Sequence, residues 1–385
     1  MQQKVYLDYA ATTPVDQRVL KAMLPYFGEY IGNTMSLHQQ GSLAAEAVER
    51  AREIVAKALN ANTDEIVFTG SATESNNLAL KGLAEANPGK KKIIISNIEH
   101  DCVEKSARWL GLRGYKIVRI GVDKEGVIDF GELNKEIDQD TLLVSVIHGN
   151  NEVGTIQDLK KIGELCSKNG VYFHTDASQS FGKEEIDVVK MKIDLLTASS
   201  HKIYGPKGVA VLYVRNGIKI NPILHGGGHE GGLRSSTVNV PAIVGMGKAT
   251  EISYKVRKLE SYKVKQLRDK LIDGILKTVP DCWLNGSKAK RLANNVNISF
   301  ARVEGESMLL ELDAKGIMCS TGSACSSSSL EPSHVLLAMG LTAPEAHGSL
   351  RFSLGRWTTN KEINYVLSVL PTVVKKMRKI SPYKI

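Results

Sequence analysis

Between Val15 and Thr250, short apolar runs alternate with stretches of helical periodicity. Seven runs read as strands, at residues 66–68, 93–96, 116–120, 142–147, 171–174, 195–198 and 209–214. Helical patterns separate most of them, for example over residues 42–59 and 73–85. This alternation predicts an α/β fold, a mainly parallel seven-stranded sheet with helices on both faces. Ligands in such sheets bind beyond the carboxyl ends of the strands.

The pattern changes after residue 250. A charged helix is expected over 251–276, then a shorter mixture of strands (295–299, 350–353) and helices (306–314, 360–380). Residues 15–250 are therefore expected to form a large domain. Residues 1–14 and 251–385 are expected to form a smaller α+β domain, with the first dozen residues joining it or running over the site. The one low-complexity stretch, STGSACSSSS followed by LEPS, lies in the smaller part, within residues 320–333.

Composition narrows the class. Hydrophobic residues make up 42% and charged residues 24%, ordinary for a soluble globular protein. No apolar run approaches the ~20 residues of a membrane span. The N-terminus lacks the basic and apolar regions of a signal peptide, so a cytoplasmic protein without membrane contact is expected. Five cysteines, at 102, 166, 282, 319 and 325, are too few and odd in number for a disulfide framework. The formal net charge of +9 reads first as a Lys-rich solvated surface and second as a face for an acidic partner protein. No nucleic-acid motif accompanies it.

The candidate chemistry gathers at expected strand ends. VYFHTDASQS ends an apolar run at Asp176 and continues to Gln179; DLLTASSHK ends the next at Ser199, His201 and Lys202. A carboxylate can keep a ring nitrogen protonated, and a lysine desolvated in a pocket can form an imine with an aldehyde. That combination suits pyridoxal 5'-phosphate. A phosphate grip is offered by the strand, turn and helix start of EIVFTGSATESNN, where Ser71 and Glu74 have capping-box spacing and Ala72 and Thr73 open the helix. Ser199 and His201 add donors. Gln179 and Asn151 are placed for the ring oxygen, and His100 for stacking and proton exchange. Arg351, on an expected strand, is placed to clamp a carboxylate or to form a structural ion pair. Cys325 sits in a Ser/Gly run with nothing to bury it, so a mobile, exposed thiol is expected there, whereas Cys319 is expected to be packed. His225 and His229 lie among glycines that disfavour a helix, so close packing or a subunit contact is expected rather than zinc.

These segments resemble the NifS/IscS-type cysteine desulfurases, pyridoxal-phosphate enzymes of the class V aminotransferase group. The resemblance rests on YLDYAATTPVD (6–16), FTGSATESNNLALKG (68–82), HGNNEVGTIQ (148–157), HTDASQSFGK (174–183), SSHKIYGPKG (199–208), HGGGHEGGLRSSTVNVPAIVGMG (225–247), STGSACSSSSLEPSHVL (320–336) and RFSLGRW (351–357). It implies a fold type I homodimer. Lys202 becomes the imine lysine; Asp176, Gln179, His100 and Asn151 become ring contacts; Ala72, Thr73, Ser199 and His201 bind the phosphate. Thr237 reaches the neighbouring subunit's cofactor. Arg351, Asn151 and Asn33 contact substrate. Cys325 becomes the nucleophile that takes sulfur from L-cysteine as a persulfide, with L-alanine released. Its loop looks like the long-loop subgroup, which supplies IscU-like iron–sulfur scaffold proteins and other acceptors, including those of tRNA thiolation. No resident metal is implied, although beside a scaffold Cys325 becomes a candidate cluster ligand. The rival readings are a selenocysteine lyase or another class V enzyme, and a poorly active scaffold-binding platform. The pattern departs from the family at Thr34, at the reversed pair Gly70-Ser71 and at Ser236, all in expected loops.

Overall fold

The computed structural model describes residues 4–322 and 331–381. Its first strand, β1 (Val5–Tyr6), lies outside the large sheet. That sheet takes β2 (Ile66–Thr69), β3 (Lys92–Ser96), β4 (Lys116–Ile120), β5 (Thr141–Ser145), β6 (Tyr172–Asp176), β7 (Leu195–Ser199) and β8 (Ala210–Val214). Their order is β2-β8-β7-β6-β5-β3-β4. Strand β8 is antiparallel to both neighbours and every other pairing is parallel. Two reversals restore direction, so β2 ends at the same edge as β3, β5, β6 and β7. All seven expected strands are present, with ends displaced by no more than two residues.

The strands read as unbroken apolar runs because both faces are covered. Ile94, Val144, Phe173 and Leu196 enter the core on one face, and Ile93, Ile95, Leu143 and Leu195 the core on the other. On one side the Gln39–Leu59 helix buries Ala44, Val48, Ala51 and Val55, and is closed by Asn60 in the left-handed conformation. The helix expected over 73–85 is three pieces instead. Ala72–Asn77 is α-helical, Leu78–Gly82 is a π-helical turn, and Leu83–Ala86 is α-helical again. At the second change of pitch the Gly82 carbonyl accepts from the Asn221 N–H, an outside partner at 3.0 Å.

The charged helix starts earlier than expected, running as Val240–Thr278. Its first half packs Val240, Ile243 and Met246 into the large-sheet core. Its second half packs Val264, Leu271 and Ile275 into another core with Val5, Leu7, Val296, Phe352 and Leu370. That second core holds β9 (Cys282–Leu284), β10 (Asn295–Phe300), β11 (Ile317–Met318), β12 (Ser320–Thr321) and β13 (Ser349–Ser353). The four-stranded order is β12-β13-β10-β9, all antiparallel, while β1 pairs with β11 in parallel. Helices Gly305–Asp313 and Asn360–Ile380 complete this part. Among the described residues no helix is long and apolar enough to cross a membrane.

Candidate active site

Four adjacent strands, β3, β5, β6 and β7, lead at their carboxyl ends to His100, Asn151, Asp176 and Lys202 in turn. These residues line one cavity of about 490 Å³, together with Ala72, Thr73, Gln179, Ser199, His201 and Arg351. Ala72 and Thr73 reach it because β2 ends at the same edge. The segment leading into β8 contributes Lys207, Gly208 and Val209. A larger groove of about 920 Å³ lies at the opposite edge, around Glu65, Tyr172, Asp194 and Arg215, and holds none of the candidate residues.

Asp176 is 4% exposed. Its Oδ1 accepts the Ser178 N–H at 2.9 Å and its Oδ2 accepts from Asn76 Nδ2 at 2.7 Å. Lys202 Nζ donates to the Ala10 and Ala11 carbonyls at 2.6 and 2.8 Å. Gln179 Nε2 also donates to the Ala10 carbonyl, at 2.9 Å. The N-terminal segment therefore forms one wall of the site. His100 caps the Asp101–Gly111 helix, its Nδ1 accepting the Cys102 N–H at 3.2 Å. Ser71 caps the Ala72–Asn77 helix with its hydroxyl on the Glu74 N–H, 3.1 Å away. The N–H groups of Ala72 and Thr73 precede that capped position and stand at the cavity wall.

The electrostatics are cationic on this side. Burial, then the charges of Lys202, Lys207 and Lys183, push His201 down to about 4, so it is a neutral imidazole near neutral pH. Its Nδ1 lies 3.1 Å from the Thr12 hydroxyl. Burial and the nearby Lys202 lower Lys183 to about 8. Arg351, on β13, reaches across from the second core. It donates to the Asn151 carbonyl and to Asp8 Oδ1, each at 3.0 Å, so it is both ion-paired and at the cavity.

Two expected site residues stand elsewhere in the single chain. Asn33 is exposed, its Oδ1 accepting from the Met35 N–H at 2.9 Å. Thr237 is exposed in the loop after Ser236. Cys325 lies outside the described residues. Cys319 is buried, and burial pushes its thiol far above the usual range. Sequence reasoning missed the Ala10 and Ala11 carbonyls, which any residue can supply, and Asn76, Cys102 and Ser178, which no spacing marks.

A family model described as aminotransferase class-V matches residues 5–366. The chain belongs to this family. A curated relative, cysteine desulfurase IscS of Dictyoglomus turgidum, is 48% identical over 100% of this chain and 98% of its own length. The IscS of Methanosarcina thermophila is 50% identical over 98% of this chain and 94% of its own. A solved structure titled NifS-like protein superposes with a TM-score of 0.92 at 38% identity, covering 97% of this chain and 100% of the other. This class-V chain is a pyridoxal-phosphate enzyme of fold type I. Its cavity fits that group. A buried carboxylate and a lysine share the pocket, donors suited to a phosphate line its wall, and the Ser178 hydroxyl there is buried without a partner among the described residues.

Proposed function

We propose that the chain removes sulfur from L-cysteine, releases L-alanine and carries the sulfur as a persulfide on Cys325. It is a cysteine desulfurase, a sulfurtransferase of iron–sulfur cluster assembly. The observation that carries the residue assignments is the meeting of Asp176, Lys202 and the buried Arg351 around one cavity.

When bound, pyridoxal phosphate withdraws electrons from the α-carbon of an amino acid. Asp176 would hold the ring nitrogen, Gln179 and Asn151 the ring oxygen, and His100 the ring face. Ala72, Thr73, Ser199 and His201 would hold the phosphate. Arg351 and Asn151 bind the substrate carboxylate; Asn33, outside this cavity in the single chain, would reach a carboxylate only across a dimer. Lys202 takes the α-proton and returns it. The Cys325 thiolate attacks the substrate sulfur. The carbon–sulfur bond of cysteine breaks, a sulfur–sulfur bond forms on Cys325, and the carbon skeleton takes up a proton and leaves as alanine.

A homodimer fits the surface. Leu24, Phe27, Ile31, Met35 and Leu37 are between 57% and 101% exposed within fourteen residues, a gathering of bare apolar side chains that suits a protein contact. In a dimer Thr237 would reach the phosphate of the other copy's cofactor. Separate sheets and cores support a cofactor domain of residues 15–250 and a smaller domain of residues 1–14 and 251–385. The free thiols of Cys102, Cys166, Cys282 and Cys319 support a reducing, cytoplasmic compartment. Acceptors would be an IscU-like scaffold and other sulfur-transfer proteins, including those of tRNA thiolation.

The test compares wild type with Cys325→Ser, given L-cysteine and a reductant. Wild type should form alanine. The variant should lose at least ~100-fold of that rate while keeping the cofactor's visible absorption, as expected when a nucleophile is removed from an intact site. Sustained alanine formation by the variant would remove Cys325 from the mechanism.

A further inference from the structure

We propose that Asn76 and Cys102 are positioning residues of the cofactor cavity: Asn76 aims Asp176 and, through the Cys102 thiol, fixes His100 with its ring proton on Nε2. The proposal rests on the cofactor reading above.

Asn76 is completely buried and lies inside the Ala72–Asn77 helix, facing no solvent. Its Nδ2 carries two hydrogens. One goes to Asp176 Oδ2 at 2.7 Å and the other to Cys102 Sγ at 3.0 Å. Its Oδ1 is buried with no partner among the described residues. A buried amide that leaves its own oxygen unpaired is a poor choice for stability. Turning the amide over would set a carbonyl oxygen against the carboxylate. The orientation is therefore dictated by Asp176, and the unpaired oxygen is its consequence. With Ser178 N–H on Oδ1, each oxygen of Asp176 then has a protein donor, and the carboxylate cannot rotate.

Cys102 lines the cavity and is 8% exposed. Its sulfur accepts from Asn76 and lies 3.0 Å from His100 Nδ1. His100 Nδ1 already accepts the Cys102 backbone N–H, so it carries no proton. The thiol hydrogen then has two acceptors in reach, Asp176 Oδ2 at 3.9 Å and this nitrogen at 3.0 Å, and the nearer one takes it, shared with the backbone N–H. A chain results in which the amide donates to sulfur and the thiol donates to imidazole. The proton of His100 is left on Nε2, the other ring nitrogen of a side chain that also lines the cavity. The ring is oriented as well as its tautomer, because cap and thiol grip the same nitrogen.

The experiment titrates apoprotein with pyridoxal phosphate and follows the visible band against pH, for wild type, Asn76→Leu and Cys102→Ala. Asn76→Leu keeps volume and removes the donor, a bond to a charged group, so the cofactor Kd should rise about tenfold or more. The pH midpoint of its visible band should move too. Cys102→Ala should change the Kd by less than about threefold, as for a weak thiol contact. Nitrogen-15 NMR of His100 should show Nε2 protonated in wild type and a mixture of tautomers in Cys102→Ala. Asn76→Ser, a smaller change with the same expected direction, replaces Asn76→Leu if the latter does not fold by circular dichroism. Wild-type binding with unchanged Kd and midpoint in the Asn76 variant overturns the Asn76 role. An Nδ1-protonated His100 in wild type overturns the Cys102 role. Wild type that binds no pyridoxal phosphate overturns the cofactor reading itself, and this proposal with it.

Discussion

Arg351 holds a charge where almost no water reaches it, being 1% exposed. Asp8 is its counter-ion, and the same Asp8 Oδ1 also accepts from Ser320 Oγ at 2.8 Å. The Arg351 Nε is buried with no partner among the described residues, which leaves capacity for an incoming carboxylate. Asp8→Asn should therefore have opposite effects on stability and on binding. Leaving a buried guanidinium without its charge partner should lower unfolding free energy by about 3 kcal/mol. A substrate carboxylate would then be the main counter-ion, so KM for cysteine should fall. Thermal denaturation and steady-state kinetics check the two halves. A second residue-scale prediction concerns acid. Burial pushes His148 down to about 4, and its Nδ1 lies 2.8 Å from the Ser180 hydroxyl. The unfolded chain protonates this residue near its ordinary value of about 6.5, so between pH 6.5 and 4 the unfolded state binds the extra proton. Stability is thus lost as pH falls through that window. Against wild type, His148→Gln should show a slope of unfolding free energy on pH shallower by up to one proton, read from denaturant titrations at several pH values.

At the scale of elements, the loop before the long helix carries the clearest strain. Ser236 has φ of +115°, a region that favours glycine. Ser236→Gly should raise stability by about 1 kcal/mol with the cavity unchanged, measured by chemical denaturation. The same neighbourhood shows where sequence reading stops. Strand ends at His100, Asn151, Asp176 and Lys202 were legible because an apolar run that halts at a polar group marks a carboxyl edge. The first turns of the Val240–Thr278 helix were not, because VPAIVGMGKAT contains a proline and two glycines. They are helical because the backbone must come close: a Cβ on Gly247 would stand 2.8 Å from the Ala51 Cβ, and one on Gly245 2.7 Å from the Met23 sulfur. Proline is tolerated in the first turn, where no internal N–H bond is lost. Asn76 was illegible for a different reason. Its role depends on a partner 100 positions away, and nothing in ATESNN announces it.

On the scale of the whole molecule, the proposed second copy would cover the exposed apolar run from Leu24 to Leu37 and give the outlying Thr237 a site to serve. Phe27→Asp combined with Ile31→Asp should shift the protein from dimer to monomer in analytical ultracentrifugation. Cofactor retention during gel filtration should fall in parallel, because each site would lose the other copy's Thr237. An effect on mass without one on retention would detach Thr237 from the phosphate. The N-terminal segment carries a last consequence. Val5 and Tyr6 pair with Ile317 and Met318, Asp8 meets Ser320 across 312 positions, and Ala10 and Ala11 hold the amine of Lys202. A ribosome delivers the first of these partners at the outset and the last near the end. Val5, Tyr6 and Asp8 must therefore wait, unpaired, through most of translation, whereas Ala10 and Ala11 can meet Lys202 about halfway. The pocket wall is anchored on the second core only once nearly the full chain has emerged. Cofactor loading is in this sense a post-translational event, and a nascent chain stalled before residue 317 should capture no pyridoxal phosphate.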